Sequence, residues 1–209
     1  AGLLHGHPTQ TAAWLDYDGD GWLDLYIGTE STEGDEVPAL LYHNNRDGTF
    51  SDCAGDAGVA AVGYIKGVAA GDYDNDGRPD LYLSMRQSEN VLYRNAGPSE
   101  GLRARKPGCG WRFTNVAREA GVSEQIHSFP TWFFDYDNDG NEDLFVSGYL
   151  ITELGDITRD VLGLPTEADK ARLYRNNGDG TFTDVTRAAH LDHVLQAMGS
   201  NYGDFDNDG

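Results

Sequence analysis

Asp135-Tyr136-Asp137-Asn138-Asp139-Gly140-Asn141-Glu142-Asp143 is the stretch that decides how this chain is read. It sets carboxylates at positions 1, 3, 5 and 9 and a glycine at position 6. Alternate side chains of a tight loop converge on one point, the glycine permits a sharp turn, and the residue at position 7 can add its carbonyl. A hard cation then meets an all-oxygen cage, and Ca²⁺ is the ion that suits it. Without an ion, carboxylates about 5 Å apart repel by about 3 kcal/mol per pair at an effective dielectric near 20. That is a large fraction of a domain's roughly 5–15 kcal/mol of stability.

The nonapeptide recurs at residues 16–24 (DYDGDGWLD) and 72–80 (DYDNDGRPD), and it begins again at 204–209 (DFDNDG). Four occurrences make an internal repeat. A helix-flanked EF-hand is excluded, because its bidentate Glu at position 12 is replaced by Ile27, Leu83 and Val146. Each loop leads instead into a short β-branched and aromatic run, such as Asp143-Leu144-Phe145-Val146, which reads as a strand. The loop therefore joins two strands of a hairpin, with the ninth-position Asp opening the second.

A second segment repeats in register. Leu41-Tyr42-His43-Asn44-Asn45-Arg46-Asp47-Gly48-Thr49-Phe50 matches Leu173-Tyr174-Arg175-Asn176-Asn177-Gly178-Asp179-Gly180-Thr181-Phe182. Leu92-Tyr93-Arg94-Asn95, followed later by Phe113, is the same piece interrupted. From Phe50 to Asp72, from Phe113 to Asp135 and from Phe182 to Asp204 the interval is 22 residues each time. Each repeat thus supplies four short antiparallel strands, A to D, with the Asp loop between A and B and an Asn/Gly turn between C and D. The fold class is all-β, and the units are the blades of a β-propeller, with a β-sandwich as runner-up. The repeats run approximately 4–59, 60–122, 123–191 and, as the start of another, 192–209. Three blades do not close a ring that takes about four to eight, so the chain is expected to be a fragment of a longer propeller.

Composition agrees with a metal-rich, many-turned protein. There are 209 residues, 35 acidic against 15 basic, and a formal net charge of −20. Fifteen of the acids are Asp residues of the four loops, so bound divalent ions would cancel much of the charge. The acidity is thus mainly a metal signature, and it argues against nucleic acid or an anionic membrane as partner. No run is long and apolar enough for direct membrane insertion as a helix. Glycine, at 27 residues against 7 prolines, suits many tight turns.

The loop followed by a strand, the LYRNNGDGTFTDV segment and the AGV tails at 57–59 and 120–122 resemble the FG-GAP/VCBS repeats of integrin α-subunit propellers. The pattern is most similar to cartilage acidic protein-like (ASPIC/UnbV-associated) proteins. The resemblance implies an extracellular or periplasmic, secreted or cell-surface propeller that binds calcium, about one Ca²⁺ per complete loop, and serves adhesion, binding or assembly. It implies as ligands Asp16, Asp18, Asp20 and Asp24 with the Trp22 carbonyl, and Asp72, Asp74, Asp76 and Asp80 with that of Arg78. The third set is Asp135, Asp137, Asp139 and Asp143 with the Asn141 carbonyl, and Asp204, Asp206 and Asp208 match the start of a fourth.

No nucleophile motif, phosphate-cradling glycine loop or HExxH is present, so no catalytic residue is assigned. A carbohydrate-binding, lectin-like propeller and a calcium-dependent polysaccharide lyase are the rival readings. The expected partner is a protein or glycan on a propeller face, or the rest of an envelope complex or filament, with no nucleic acid. Two insertions interrupt the register: a basic one at 96–110, expected beside the Asp loops, and one at roughly 150–170 on the opposite face, with room for one short helix. His5, His7, His127, His190 and His193 fall in D-to-A connectors and His43 in a strand C. Cys53 aligns with Val116 and Val185 inside strand D, and whether it pairs with Cys109 stays open. Trp14 and Trp132 read as blade packing, as do Tyr42, Tyr93 and Tyr174.

Overall fold

The computed structural model describes residues 3, 6–124, 127–199 and 203. Its strands form three four-stranded antiparallel sheets, each in sequence order. The first holds β1 (Thr9–Leu15), β2 (Asp24–Thr29), β3 (Leu40–Asn44) and β4 (Phe50–Asp52). The second holds β5 (Ile65–Gly71), β6 (Asp80–Met85), β7 (Val91–Pro98) and β8 (Trp111–Asn115). The third holds β9 (Ser128–Phe134), β10 (Asp143–Gly148), β11 (Arg172–Asn176) and β12 (Phe182–Asp184). The fold is all-β, with the sheets as propeller blades, and the ninth-position Asp opens β2, β6 and β10.

The blades stack through their faces. One cluster of buried residues joins the first two sheets and includes Tyr26, Leu41, Ile65, Leu81 and Phe113. A second joins the second and third sheets through Tyr82, Leu92, Phe133, Leu144 and Tyr174. The second strands of the second and third blades, β6 and β10, are buried at every residue, and after the opening Asp each reads as an apolar run with one buried serine. The inner strands approach closely: a Cβ on Gly67 would come within 2.4 Å of the Phe129 carbonyl oxygen. Only glycine allows that approach.

The loop sequences fit their backbone. Position 6 has φ of 86°, 84° and 86° at Gly21, Gly77 and Gly140, and position 4 is also left-handed at Gly19, Asn75 and Asn138. Glycine and asparagine are the residues that reach this region at least cost, which explains the choice at both positions.

Several expectations change. Strand D is shorter than its sequence pattern, so Cys53 and Val116 lie past β4 and β8 and begin the one-turn helices α1 (Ala54–Ala57) and α3 (Ala117–Ala120). Each ends on a left-handed glycine, Gly58 or Gly121, and delivers Val59 or Val122 to the core with no exposed surface. Four residues carry no helical periodicity to read. Trp14 is 56% exposed, although Phe133, at the same position of the third blade, packs edge-on against Tyr82 of the blade before it. The corresponding face of the first sheet has no preceding sheet among the described residues. Trp132 does pack, stacked on Phe145 at 4.5 Å between centroids, and Tyr42, Tyr93 and Tyr174 are buried.

The insertions take the expected faces. That of the second blade carries α2 (Glu100–Arg103) and a 3₁₀ turn (Pro107–Cys109), and it reaches the first blade's Asp loop, where the Tyr17 hydroxyl donates to the Gly108 carbonyl at 2.9 Å. Cys53 and Cys109 form a disulfide with Cα atoms 5.1 Å apart. The insertion of the third blade contains α4 (Gly155–Val161) and meets the D-to-A connectors through His127 with Asp169 at 2.9 Å and His193 with Asp160 at 3.1 Å. His5 lies outside the described residues. Among those residues no helix is long and apolar enough to cross a membrane.

Candidate metal centres

The three complete loops share one hydrogen-bond scheme. The first carboxylate accepts the N–H groups of positions 5 and 6: Asp16 from Asp20 and Gly21 at 3.0 and 2.9 Å, Asp72 from Asp76 and Gly77 at 3.0 and 2.8 Å, and Asp135 from Asp139 and Gly140 at 3.1 and 2.8 Å. The fifth accepts the N–H of position 7: Asp20 from Trp22, Asp76 from Arg78 and Asp139 from Asn141. Short side chains that bond their own backbone two to five residues on are what hold such a loop closed.

Position 9 is buried and ties two turns together. Asp24 accepts from Tyr17 N at 3.3 Å and from Asn44 N at 2.8 Å. Asp80 accepts from Tyr73 N and Asn95 N at 3.2 and 2.7 Å, and Asp143 from Tyr136 N and Asn176 N at 2.9 and 2.7 Å. The Asn side chains extend the link to the preceding blade. Asn95 Nδ2 donates to the Tyr17 carbonyl at 2.9 Å, and Asn176 Nδ2 donates to the Tyr73 carbonyl at 2.7 Å. Each Asp loop is thus held by its own C-to-D turn, and the first and second are also held by the next blade.

Oxygens of positions 1, 3 and 9 gather within 4.8 Å of one another in the second loop (Asp72, Asp74, Asp80) and the third (Asp135, Asp137, Asp143). In the first loop Asp16, Asp18 and Asp20 form one such group, and Asp18 and Asp24 form another with His43. Position 5 stands partly aside: Asp20 receives Arg46 Nε at 3.0 Å, Asp76 pairs with the Arg78 guanidinium, and Asp139 receives Asn141 Nδ2 at 2.8 Å. Trp22, Arg78 and Asn141 take part so far through their N–H groups. Asp204, Asp206 and Asp208 lie outside the described residues.

The residues fit a cation. Oδ1 of Asp18 and Oδ1 of Asp74 are buried with no hydrogen-bond partner. An unsatisfied buried carboxylate oxygen is costly, and a divalent ion satisfies it. Burial, with a smaller contribution from neighbouring Asp charges, also pushes the carboxyl of Asp24 up to about 7 and that of Asp80 up to about 8. Asp18, Asp74 and Asp143 shift the same way for the same leading reason. A nearby cation reverses that preference by stabilising the ionised form.

His43 is the site residue that motif reading passed over. It is buried on β3, its ring lies edge-on to Tyr17, and its Nδ1 is 3.4 Å from both Asp18 Oδ2 and Asp24 Oδ1. The signal was available in the register, where His43 stands in place of Arg94 and Arg175.

Stacked four-stranded blades whose A-to-B loops each gather carboxylates at one edge define a repeat-built propeller module of the integrin-like kind. The chain belongs to the FG-GAP-like repeat family, which it matches over residues 16–83 and 154–209. It is also similar to cartilage acidic protein 1 of Homo sapiens, at 28% identity over 215 residues, an alignment that takes in 93% of this chain and 28% of that protein. The chain therefore spans less than a third of the length of that curated relative.

Proposed function

We propose that this chain is a calcium-stabilised propeller module that works outside the cytoplasm, on a cell surface, in the periplasm or in the extracellular space, as an adhesion, binding or assembly element. One observation carries the reading: in each complete loop the motif carboxylates converge, those of positions 1, 3 and 9 in the second and third loops and those of positions 1, 3 and 5 in the first, and in two loops a buried third-position oxygen has no protein partner. Ca²⁺ would take Asp16, Asp18, Asp20 and Asp24 in the first loop and the equivalent residues in the others, with the carbonyls of Trp22, Arg78 and Asn141. Its effect is to neutralise the loop and fix the A-to-B hairpin, with no carboxylate left over as a general acid or base. The Cys53–Cys109 disulfide supports an oxidising compartment.

A protein partner is supported by the third-blade insertion, where Leu154, Val161 and Leu162 are 89%, 77% and 66% exposed on and beside α4. Thermal unfolding under Ca²⁺ titration tests the cage reading. The midpoint rises strongly with about one ion per complete loop and rises little with Mg²⁺, which dehydrates reluctantly and demands a tighter octahedron. No shift between EDTA-treated and Ca²⁺-loaded protein would refute it.

A further inference from the structure

The first loop differs from the other two in one donor. His43 is about nine-tenths buried, and its Nδ1 makes no hydrogen bond although two carboxylate oxygens lie 3.4 Å away. That distance is long for an N–H···O bond, which runs at about 2.7–3.2 Å. It is the spacing of ligands that share an ion: two donors each about 2.1 Å from a metal, at a tetrahedral angle, lie about 3.4 Å apart. In the second and third blades the same strand position carries Arg94 and Arg175, both exposed, whose guanidinium groups have no lone pair to offer.

The imidazole is also held from outside. Gly108 packs on it so closely that a Cβ there would lie 2.7 Å from His43 Cδ2. The same glycine accepts the Tyr17 hydroxyl and precedes the disulfide-bonded Cys109. The second blade's insertion therefore clamps the ring of the first blade's histidine, and an outer shell of this kind fixes a ligand's orientation.

We propose that the first loop is a mixed nitrogen and oxygen site, with Asp18, Asp24 and His43 as ligands, that prefers a borderline transition-metal cation of the Zn²⁺ type over Ca²⁺. Imidazole suits such ions, whereas Ca²⁺ takes oxygen donors. The second and third loops stay oxygen-only. The inference rests on reading the loops as cation cages, and the experiment separates the two ideas.

Zn²⁺ is titrated calorimetrically into the chain in saturating Ca²⁺, with Co²⁺ as a spectroscopic substitute whose visible absorption reports nitrogen ligation. The expected result is one tight Zn²⁺ equivalent that displaces one Ca²⁺. His43→Arg, which installs the residue of the other blades, and His43→Gln both weaken it by about 100-fold or more, beyond what outer-shell changes usually cost. His193→Gln, on the opposite face beside Asp160, leaves it unchanged, and Ca²⁺ still raises the melting midpoint of both His43 variants. Zn²⁺ binding that is absent, insensitive to both His43 substitutions, or lost in His193→Gln overturns the mixed site. If Ca²⁺ fails to bind any loop, the cage reading falls with it; if Ca²⁺ binds and Zn²⁺ does not, only the mixed site falls.

Discussion

Asn95→Ala tests whether blades are coupled through their loops. Asn95 has no exposed surface. Its Nδ2 donates to the Tyr17 carbonyl at 2.9 Å and to the Pro79 carbonyl at 3.2 Å, and its Oδ1 accepts from Gly97 N at 3.0 Å. Truncation removes three bonds in a dry place, and at about 1 kcal/mol net per bond the loss is about 3 kcal/mol. Asn44 is the control inside the same molecule. It donates to the Leu23 carbonyl and accepts from Arg46 N, both at exposed positions where water replaces the lost partner, so Asn44→Ala should cost about 1 kcal/mol or less. Equilibrium urea unfolding of the full chain in excess Ca²⁺, followed by far-ultraviolet circular dichroism and tryptophan fluorescence together, reads the difference. With a slope of about 2–3 kcal/mol/M, Asn95→Ala should lower the midpoint by about 1 M. Equal losses for the two variants would refute the coupling.

Three other outcomes follow from described contacts. Replacing Cys53 and Cys109 together by Ala should lower stability by about 4 kcal/mol on the chain-entropy account, since the bridge spans 56 residues; midpoints of the oxidised and the Ala/Ala protein check it. The Arg172 guanidinium bonds Glu124 through two nitrogens, each at 2.7 Å, and holds that carboxyl below its usual value of 4.5. A depressed carboxyl contributes stability above its unfolded value and loses it as pH falls through the folded one. Acid melting curves of Glu124→Gln should therefore lack the part of the loss that wild type shows below about pH 4.5, an effect of roughly 1 kcal/mol or less for so exposed a pair. Asp156 accepts from Thr152 N, Thr152 Oγ1, Glu153 N and Thr166 Oγ1, which together close the third-blade insertion around α4. Asp156→Ala should speed proteolytic cleavage within residues 150–170 severalfold and leave the blades intact, as mass spectrometry of the fragments would show.

The blade plan was legible because two local signals coincide in each repeat: a loop whose glycine and asparagine positions demand left-handed backbone, and an apolar run of strand length after it. The 22-residue interval then set the register without any contact information. What the chain concealed depends on neighbours in space. Cys53 and Cys109 meet only because an insertion of one blade folds back over the previous one. Asn95 and Asn176 look like turn residues, and their second role, bonding a carbonyl of another blade, needs the stacking of sheets to exist. His43 was hidden differently. It sits in a strand, outside the acidic motif, and enters the cluster because β3 pairs with β2 immediately after the ninth-position Asp.

The disulfide also has a mechanical meaning. It joins the first blade just past its last strand to the second blade just before its last strand, so pulling on the chain ends loads the bridge and bypasses the residues between. Fully extended, 56 residues measure about 190 Å. That length stays out of reach of a stretching force while the bridge is oxidised and is released when it is reduced. Three of the second blade's four strands lie inside the shielded segment. Under tension the bridge would thus keep the interface of the first two blades partly shielded after the outer parts had begun to yield.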